Sequence, residues 1–190
     1  MRLLLTGKEA FAYTSRTASL TQFVSLAIAG SMLIAIGAHI AVPLPFTPVP
    51  MTLQTFAVIL VGMLLGPVGG FAAAALYLFE GLAGAPVFSL HGVGGILQLL
   101  GPTGGYLMSY PLAAALAGAL YSRRTYVRGV VAGLASTTLM LVCGAVWFAL
   151  ITHLSAHTVW IATLAPFLAG EAVKILAAAG IATALPRMGR

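Results

Sequence analysis

The 190-residue sequence contains no aspartate, three glutamates and one cysteine, and only 6% of its residues are charged. This charge content excludes an ordinary soluble domain, whose surface requires many more charged side chains. Because Cys143 has no partner in the chain, an internal disulfide and a cysteine metal cluster are excluded. An aspartyl protease dyad is excluded as well, and there is no GxSxG or GxxxxGK[ST] pattern. We therefore predict no catalytic residue and no ATPase activity of the usual kind.

Hydrophobic residues make up 61% of the chain, which is typical of a membrane protein. The apolar runs are long and rich in Ala, Leu and Gly, whereas a transmembrane β-barrel needs short strands of alternating polarity. About 20 residues are needed for each helical crossing, so the length allows about six helices. We predict an all-α integral membrane protein, a six-transmembrane-helix bundle with structured external loops. It forms one membrane domain over 1–190, with a cytoplasmic tail at 1–18 and the substrate-binding bundle at 19–186.

Six apolar runs are the candidate spans, and the second and third of them are short. They are joined by the segment GPVGG at 66–70, where proline and glycine favour a tight reversal. These two runs are therefore predicted to form a helical hairpin. The predicted spans are 20–41, 53–66, 68–84, 105–121, 129–151 and 166–185.

Basic residues are segregated along the sequence. If the N-terminus is cytoplasmic, six spans place eight of the nine Lys and Arg residues on one side, and the three loops at 42–52, 85–104 and 152–165 contain none. This is the positive-inside pattern, so the net charge of +6 indicates membrane orientation rather than nucleic-acid binding. Both termini are predicted to be cytoplasmic. The eight residues are Arg2, Lys8, Arg16, Arg123, Arg124, Arg128, Arg187 and Arg190.

Two irregular stretches are predicted to lie on the outer face. The first, VPLPFTPVPMTLQTF at 42–56, is proline-rich and hence stiff, and the second, at 84–106, is glycine-rich. The first stretch is either a rigid connector or a ligand lid, with Gln54, Thr52 and Thr55 offering hydrogen bonds. Two structured loops over one face favour a pocket beneath them.

Three ionisable residues fall inside the predicted spans, where charge is costly and marks a functional candidate. Glu80 lies on the third span, while Glu171 and Lys174 lie three residues apart on the sixth and so share a helical face. The pair either only neutralises itself or forms an acceptor and a donor for a small polar ligand. No metal site is predicted, because no carboxylates or cysteines accompany the four histidines near the outer face. These are His39, His91, His153 and His157.

Four segments resemble one transporter family. PFTPVPMTLQTFAVILVGMLLGP, LAGAPVF, GPTGGYL and PFLAGEAVK occur in this order. They are similar to the BioY family, the biotin-specific S components of energy-coupling factor transporters. The resemblance covers 42–178 and implies a six-helix bundle that binds biotin from outside. It also implies partners, namely a transmembrane T subunit and paired ATPases, although some members of the family act alone.

The resemblance also implies site residues. Gln54 matches the family's loop glutamine, Tyr106 the tyrosine that closes GPTGGY, and Lys174 the lysine of the sixth helix. Glu171 stands where relatives usually have Asp, and Ala169 replaces the proline of that motif. The ureido ring of biotin offers two N–H donors and a carbonyl acceptor, which suit a carboxylate and an ammonium group.

In some relatives an arginine in the loop between the third and fourth helices receives the ligand carboxylate. That loop has no arginine here. His91, Thr103, Tyr106 and backbone amides of the glycine-rich loop are the candidate substitutes. Phe46 and Phe88 are expected, with Tyr106, to supply aromatic walls for the pocket.

Small residues recur on the first helix at Ala27, Ser31 and Ala35, a spacing that lets another helix approach closely. In the family a similar motif docks the T subunit, so this row is a predicted partner surface, with an internal packing seam as the alternative. Self-association also stays open. The function predicted is that of a biotin-binding S component. The alternatives are a subunit or solo transporter for another vitamin-like solute, and a membrane scaffold.

Overall fold

The computed structural model describes residues 7–45, 47–90 and 92–185, with side chains from Ser19 onward. These residues form seven helices and one two-stranded antiparallel ribbon, in which Ala41 pairs with Thr52 and Val42 with Met51. The helices are α1 (Gly7–His39), α2 (Gln54–Leu82), α3 (Gly95–Leu100), α4 (Gly104–Leu120), α5 (Tyr126–Thr152), α6 (Ala156–Thr163) and α7 (Leu168–Ala184), and the strands are β1 (Ala41–Val42) and β2 (Met51–Thr52).

Helix α2 is a hairpin of two antiparallel arms. Its helical geometry is interrupted at Gly66, where φ is 77° and ψ is −177°, directly before Pro67. The Gln54 Nε2 atom lies 2.5 Å from the Tyr77 hydroxyl, whereas a straight helix would separate two residues 23 positions apart by about 35 Å. The chain therefore reverses at Gly66, and the predicted hairpin is confirmed.

The predicted helical membrane fold is confirmed, while the number of helical elements differs from six. Helices α3 and α6 lie in predicted loops, the β1–β2 ribbon joins the end of the first predicted span to the proline-rich stretch, and α1 begins at Gly7 rather than near residue 20. By length and composition, three described helices are able to cross a membrane, and a fourth span is added if α6 and α7, bent by 46°, count as one. The chain is thus a multi-pass membrane protein.

Glycines allow α2 and α4 to pack in backbone contact. A Cβ atom added at Gly62 would lie 2.2 Å from the carbonyl oxygen of Ala114, and one added at Gly118 would lie 2.4 Å from the carbonyl carbon of Gly66. Because lipid provides no hydrophobic driving force between membrane helices, their association depends on van der Waals packing, and small residues allow the backbones to approach closely. This contact fixes the hairpin against α4, whose first turn carries part of the site.

The small-residue row of α1 faces the interior of the bundle. Ser31 is fully buried and donates a hydrogen bond to a carboxylate oxygen of Glu80, Ala27 is buried and Ala35 is partly buried. This placement favours the internal packing seam over a docking surface for a partner.

The buried position of Ser31 leads to a stability prediction. We expect Ser31→Ala to lower the free energy of unfolding by about 1–3 kcal/mol, because the Glu80 carboxylate loses a hydrogen-bond donor. Ser25→Ala is the matched control, since Ser25 is exposed on the same helix. Thermal unfolding in detergent measures the difference. A Ser31→Leu variant that melts normally yet loses association with a T subunit would contradict the seam and restore the docking surface.

Candidate functional site

A cavity lies beneath the two loops predicted to cover a pocket, and the space between its lining atoms, open solvent at the mouth included, is about 550 Å³. The first turns of three helices converge there. Gln54 and Thr55 begin α2, Tyr106 lies in the first turn of α4, and Glu171 and Lys174 lie near the start of α7. Five of the seven predicted ligand contacts therefore line one cavity: Gln54, Thr103, Tyr106, Glu171 and Lys174.

The charged pair forms the polar end of the cavity. Lys174 Nζ lies 2.7 Å from Glu171 Oε1, and both side chains are almost completely buried. The Thr55 hydroxyl donates to the same Oε1 at 2.9 Å and accepts from Lys174 Nζ at 3.2 Å. The i, i+3 spacing on α7 brings the two charges together, and the hairpin of α2 brings Thr55 to them.

One oxygen of this cluster has no partner. Within the described residues, the buried Oε2 atom of Glu171 accepts no hydrogen bond. Buried polar atoms in native structures are nearly always hydrogen-bonded, so an unpaired carboxylate oxygen in a cavity marks a place for a donor. Lys174 carries three N–H donors, of which two have the partners described above. The cluster is therefore able to accept from and donate to one small polar group.

Gln54 is held from behind by an aromatic cluster. Its Nε2 atom donates to the hydroxyl of the fully buried Tyr77, which leaves the carbonyl oxygen of the same amide free to accept. Phe88 packs edge-on against Tyr77, with ring centroids 5.4 Å apart. The ring of Tyr110 is tilted by 33° to that of Tyr77, and their centroids are 6.5 Å apart. Phe88 was predicted as a ligand contact, but it supports Tyr77 and is not among the residues lining the cavity.

Tyr106 and Thr103 line the cavity with their polar atoms engaged. The Tyr106 hydroxyl donates to the carbonyl oxygen of Thr163 at 2.6 Å, so its ring is the part available to a ligand. The Thr103 hydroxyl oxygen accepts from Gln98 Nε2 at 2.8 Å. Two other predicted contacts, His91 and Phe46, lie outside the described residues.

Several lining residues were not predicted. Gln98 and Tyr110 add polar groups, and Leu107, Leu141 and Phe167 add apolar walls. Gln98 is the one that carried a sequence signal, as a polar side chain within the second loop. The others are ordinary members of apolar runs, with nothing to separate them from packing residues. No cluster of three or more potential metal ligands occurs in the ranges that the structure describes.

The fold and the cavity define a class of protein. It is a helical multi-pass membrane protein with a small, mostly apolar pocket and a few convergent polar groups. The chain belongs to the BioY family, whose model matches residues 10–190.

Named relatives and one solved structure are similar to the chain. The "Probable biotin transporter BioY" of Pyrococcus horikoshii is 38% identical over 163 residues, covering 85% of this chain and 94% of that protein. The "Biotin transporter BioY" of Thermotoga maritima is 34% identical over 157 residues, covering 82% and 90%. The crystal structure of "the S-component for biotin from an ECF-type ABC transporter" superposes with a TM-score of 0.78 at 23% identity, covering 92% of this chain and 95% of that one. That structure shows the same fold.

Proposed function

We propose that this chain is the biotin-binding membrane subunit, or S component, of a biotin uptake transporter. The observation that carries the proposal is the buried Glu171–Lys174–Thr55 cluster at the end of a cavity, in a chain of the BioY family. The cluster offers the acceptor and donor that the ureido ring of biotin requires. The function stated by the names of the relatives supports the same ligand.

The proposed binding mode assigns each group of the ligand to a part of the cavity. The unpaired Oε2 atom of Glu171 and the carbonyl oxygen of Gln54 accept from the two ureido N–H groups, and Lys174 donates to the ureido carbonyl. The apolar thiophane ring contacts Leu107 and Phe167. Every polar group of the fused ring is then satisfied in a buried site, as a tight complex requires.

Titration of the purified protein in detergent tests the ligand. We expect saturable binding of biotin with one site per chain. Lipoic acid is the matched control ligand, because it carries the same valerate tail on a sulfur ring without the urea, and it should not bind measurably. Binding of another vitamin-like solute in place of biotin would support the alternative transporter, and a chain that binds no solute would support the scaffold.

The energy for transport is proposed to come from other chains. The sequence has no phosphate-binding loop for ATP, so a T subunit and paired ATPases are the proposed partners. Uptake of labelled biotin into cells with and without those subunits tests this. Uptake that depends on them supports the S-component assignment, whereas full uptake without them identifies a transporter that acts alone.

We further propose six spans, formed by α1, the two arms of α2, α4, α5 and α7, with both termini cytoplasmic. One Arg124 guanidinium nitrogen donates to the carbonyl oxygen of Ala182 at 2.9 Å, so the basic loop before α5 and the end of α7 share a face. Glu171 and Lys174 lie at the opposite end of α7.

Cysteine labelling tests this topology in a Cys143→Ala background. We expect Ala156→Cys to react with an impermeant reagent added outside, because Ala156 is exposed on the proposed outer face. Ser122→Cys, exposed beside the basic loop, should react only after the membrane is permeabilised. The reverse labelling pattern would contradict the six-span topology.

A further inference from the structure

A second cavity adjoins the first, and the space between its lining atoms, open solvent included, is about 460 Å³. Pro50, Gln98 and Thr103 line both cavities, so these three residues form the junction between them. Beyond the junction, the second cavity extends between the proline-rich loop and the segment that contains Val93 and Leu97. The two cavities are therefore neighbours beneath the external loops, with these three residues between them.

The first cavity holds the charged side chains of the described lining residues. Among the described residues that line either cavity, the only charged ones are Glu171 and Lys174, and both belong to the first cavity. The Lys174 ammonium is already engaged with Glu171 and Thr55. The polar side chains at the junction, Gln98 and Thr103, are neutral.

The junction is closely packed and hydrogen-bonded around Gln98. Gln98 is buried, with 6% of its surface exposed, and its Nε2 atom donates to the Thr103 hydroxyl at 2.8 Å. The Gln98 amide lies so close to Gly92 that a Cβ atom added there would stand 1.7 Å from Gln98 Oε1. Gly92 therefore makes room for Gln98 to sit between the two cavities.

We infer that the junction receives the end of the valerate chain, that the second cavity receives any extension of it, and that the protein binds biotin whose tail is uncharged or extended through an amide, as in biotinamide and biotinyl-lysine. This inference rests on the proposed function, which places the ureido ring at Glu171 and Lys174. The valerate chain then reaches the junction at Gln98 and Thr103, and an extension beyond its carboxyl group enters the second cavity, whose described lining residues are neutral. Converting a carboxylate to an amide there removes a charge that has no opposite charge beside it among the described lining residues.

A ligand series tests the inference in one titration format. We expect biotinamide to bind within about threefold of biotin and biotinyl-lysine within about tenfold, because no described lining residue gives the valerate carboxylate a strong, charge-assisted partner. Binding of biotin accompanied by a loss of thirtyfold or more for biotinamide would overturn the inference and identify a carboxylate-specific contact. Absence of biotin binding itself would instead refute the proposed function, so the two failures are distinguishable.

Substitutions at residues that line the second cavity test whether an extended ligand tail lies there. Leu97→Trp fills the second cavity from an exposed position on α3, and we expect it to weaken biotinyl-lysine more than tenfold while changing biotin less than threefold. Ile96→Trp is the matched control, because Ile96 is equally exposed on the same helix without lining that cavity. Val93→Trp repeats the test from another lining residue if Leu97→Trp does not fold. Equal effects on both ligands, or equal effects of the lining and control variants, would overturn the inference.

Discussion

Lys174→Met is expected to lower the affinity for biotin at least tenfold and to destabilise the protein. The variant keeps much of the side-chain length but loses the donor, and a hydrogen bond to a charged group contributes about 1.5–3 kcal/mol. It also leaves the Glu171 carboxylate buried without its ammonium partner. Removing one partner of a buried ion pair typically costs about 3–5 kcal/mol of stability. Calorimetric titration and thermal melting in the same detergent measure the two effects.

The double variant Glu171→Gln, Lys174→Met separates binding from stability. It removes both charges together, so we expect a melting temperature close to that of the natural protein but poor biotin binding. Glu80→Gln is the matched control, since Glu80 is a membrane-embedded carboxylate that does not line the cavity. The affinity of this variant for biotin should be unchanged. If the folded double variant bound biotin normally, the pair would be structural and would leave the site.

Gly62→Ala is expected to destabilise the bundle by about 3 kcal/mol or more, at or above the upper end of the usual cost of overpacking. The added methyl group would meet the carbonyl oxygen of Ala114 at 2.2 Å and its carbonyl carbon at 2.9 Å. These are backbone atoms of a packed helix, so relief requires α2 and α4 to move apart. Thermal unfolding and biotin binding should both deteriorate, because α4 carries Tyr106.

Gly180→Ala is the matched control for that prediction. Gly180 lies within α7, and the nearest atom to an added Cβ is a ring carbon of Tyr126 at 4.0 Å. Alanine is favoured over glycine inside a helix by about 0.5–1 kcal/mol, so this variant should be as stable as the natural protein or slightly more so. A Gly62→Ala protein that melts together with the Gly180→Ala control would refute the proposed close contact.

The polar end of the site was predictable because charge is so rare in this chain. Glu171 and Lys174 stand out within an apolar run, and their spacing on a helix already places them on one face. The reversal at Gly66 was predictable from its glycine and proline chemistry. The family resemblance added Tyr106 and supported Gln54, which the proline-rich stretch already offered, and the structure places both residues in the same cavity.

Other features depend on contacts that a local pattern does not encode. The β1–β2 ribbon is only two residues long on each strand, and α3 has six residues, so neither produces a readable periodicity. The common occurrence of aromatic residues in pockets predicts Phe88 as a ligand wall, whereas its ring packs edge-on against Tyr77 and does not line the cavity. Tyr77 itself gave no signal, since its position behind Gln54 arises only when the two arms of α2 fold together.

The intrahelical ion pair also bears on how the protein enters the bilayer during synthesis. On the translocon scale a charged residue at the centre of an inserting helix costs about 2.5–3.5 kcal/mol, which is an upper limit for Glu171 and Lys174 near the start of α7. Glu171 and Lys174 contact each other within α7, whereas Thr55 precedes Glu171 by 116 residues. Helix α7 therefore brings its own countercharge into the membrane and does not depend on an earlier helix to neutralise it. Helix α7 thus inserts with its charges already paired, and the recognition site is completed when α7 docks against the first turn of α2.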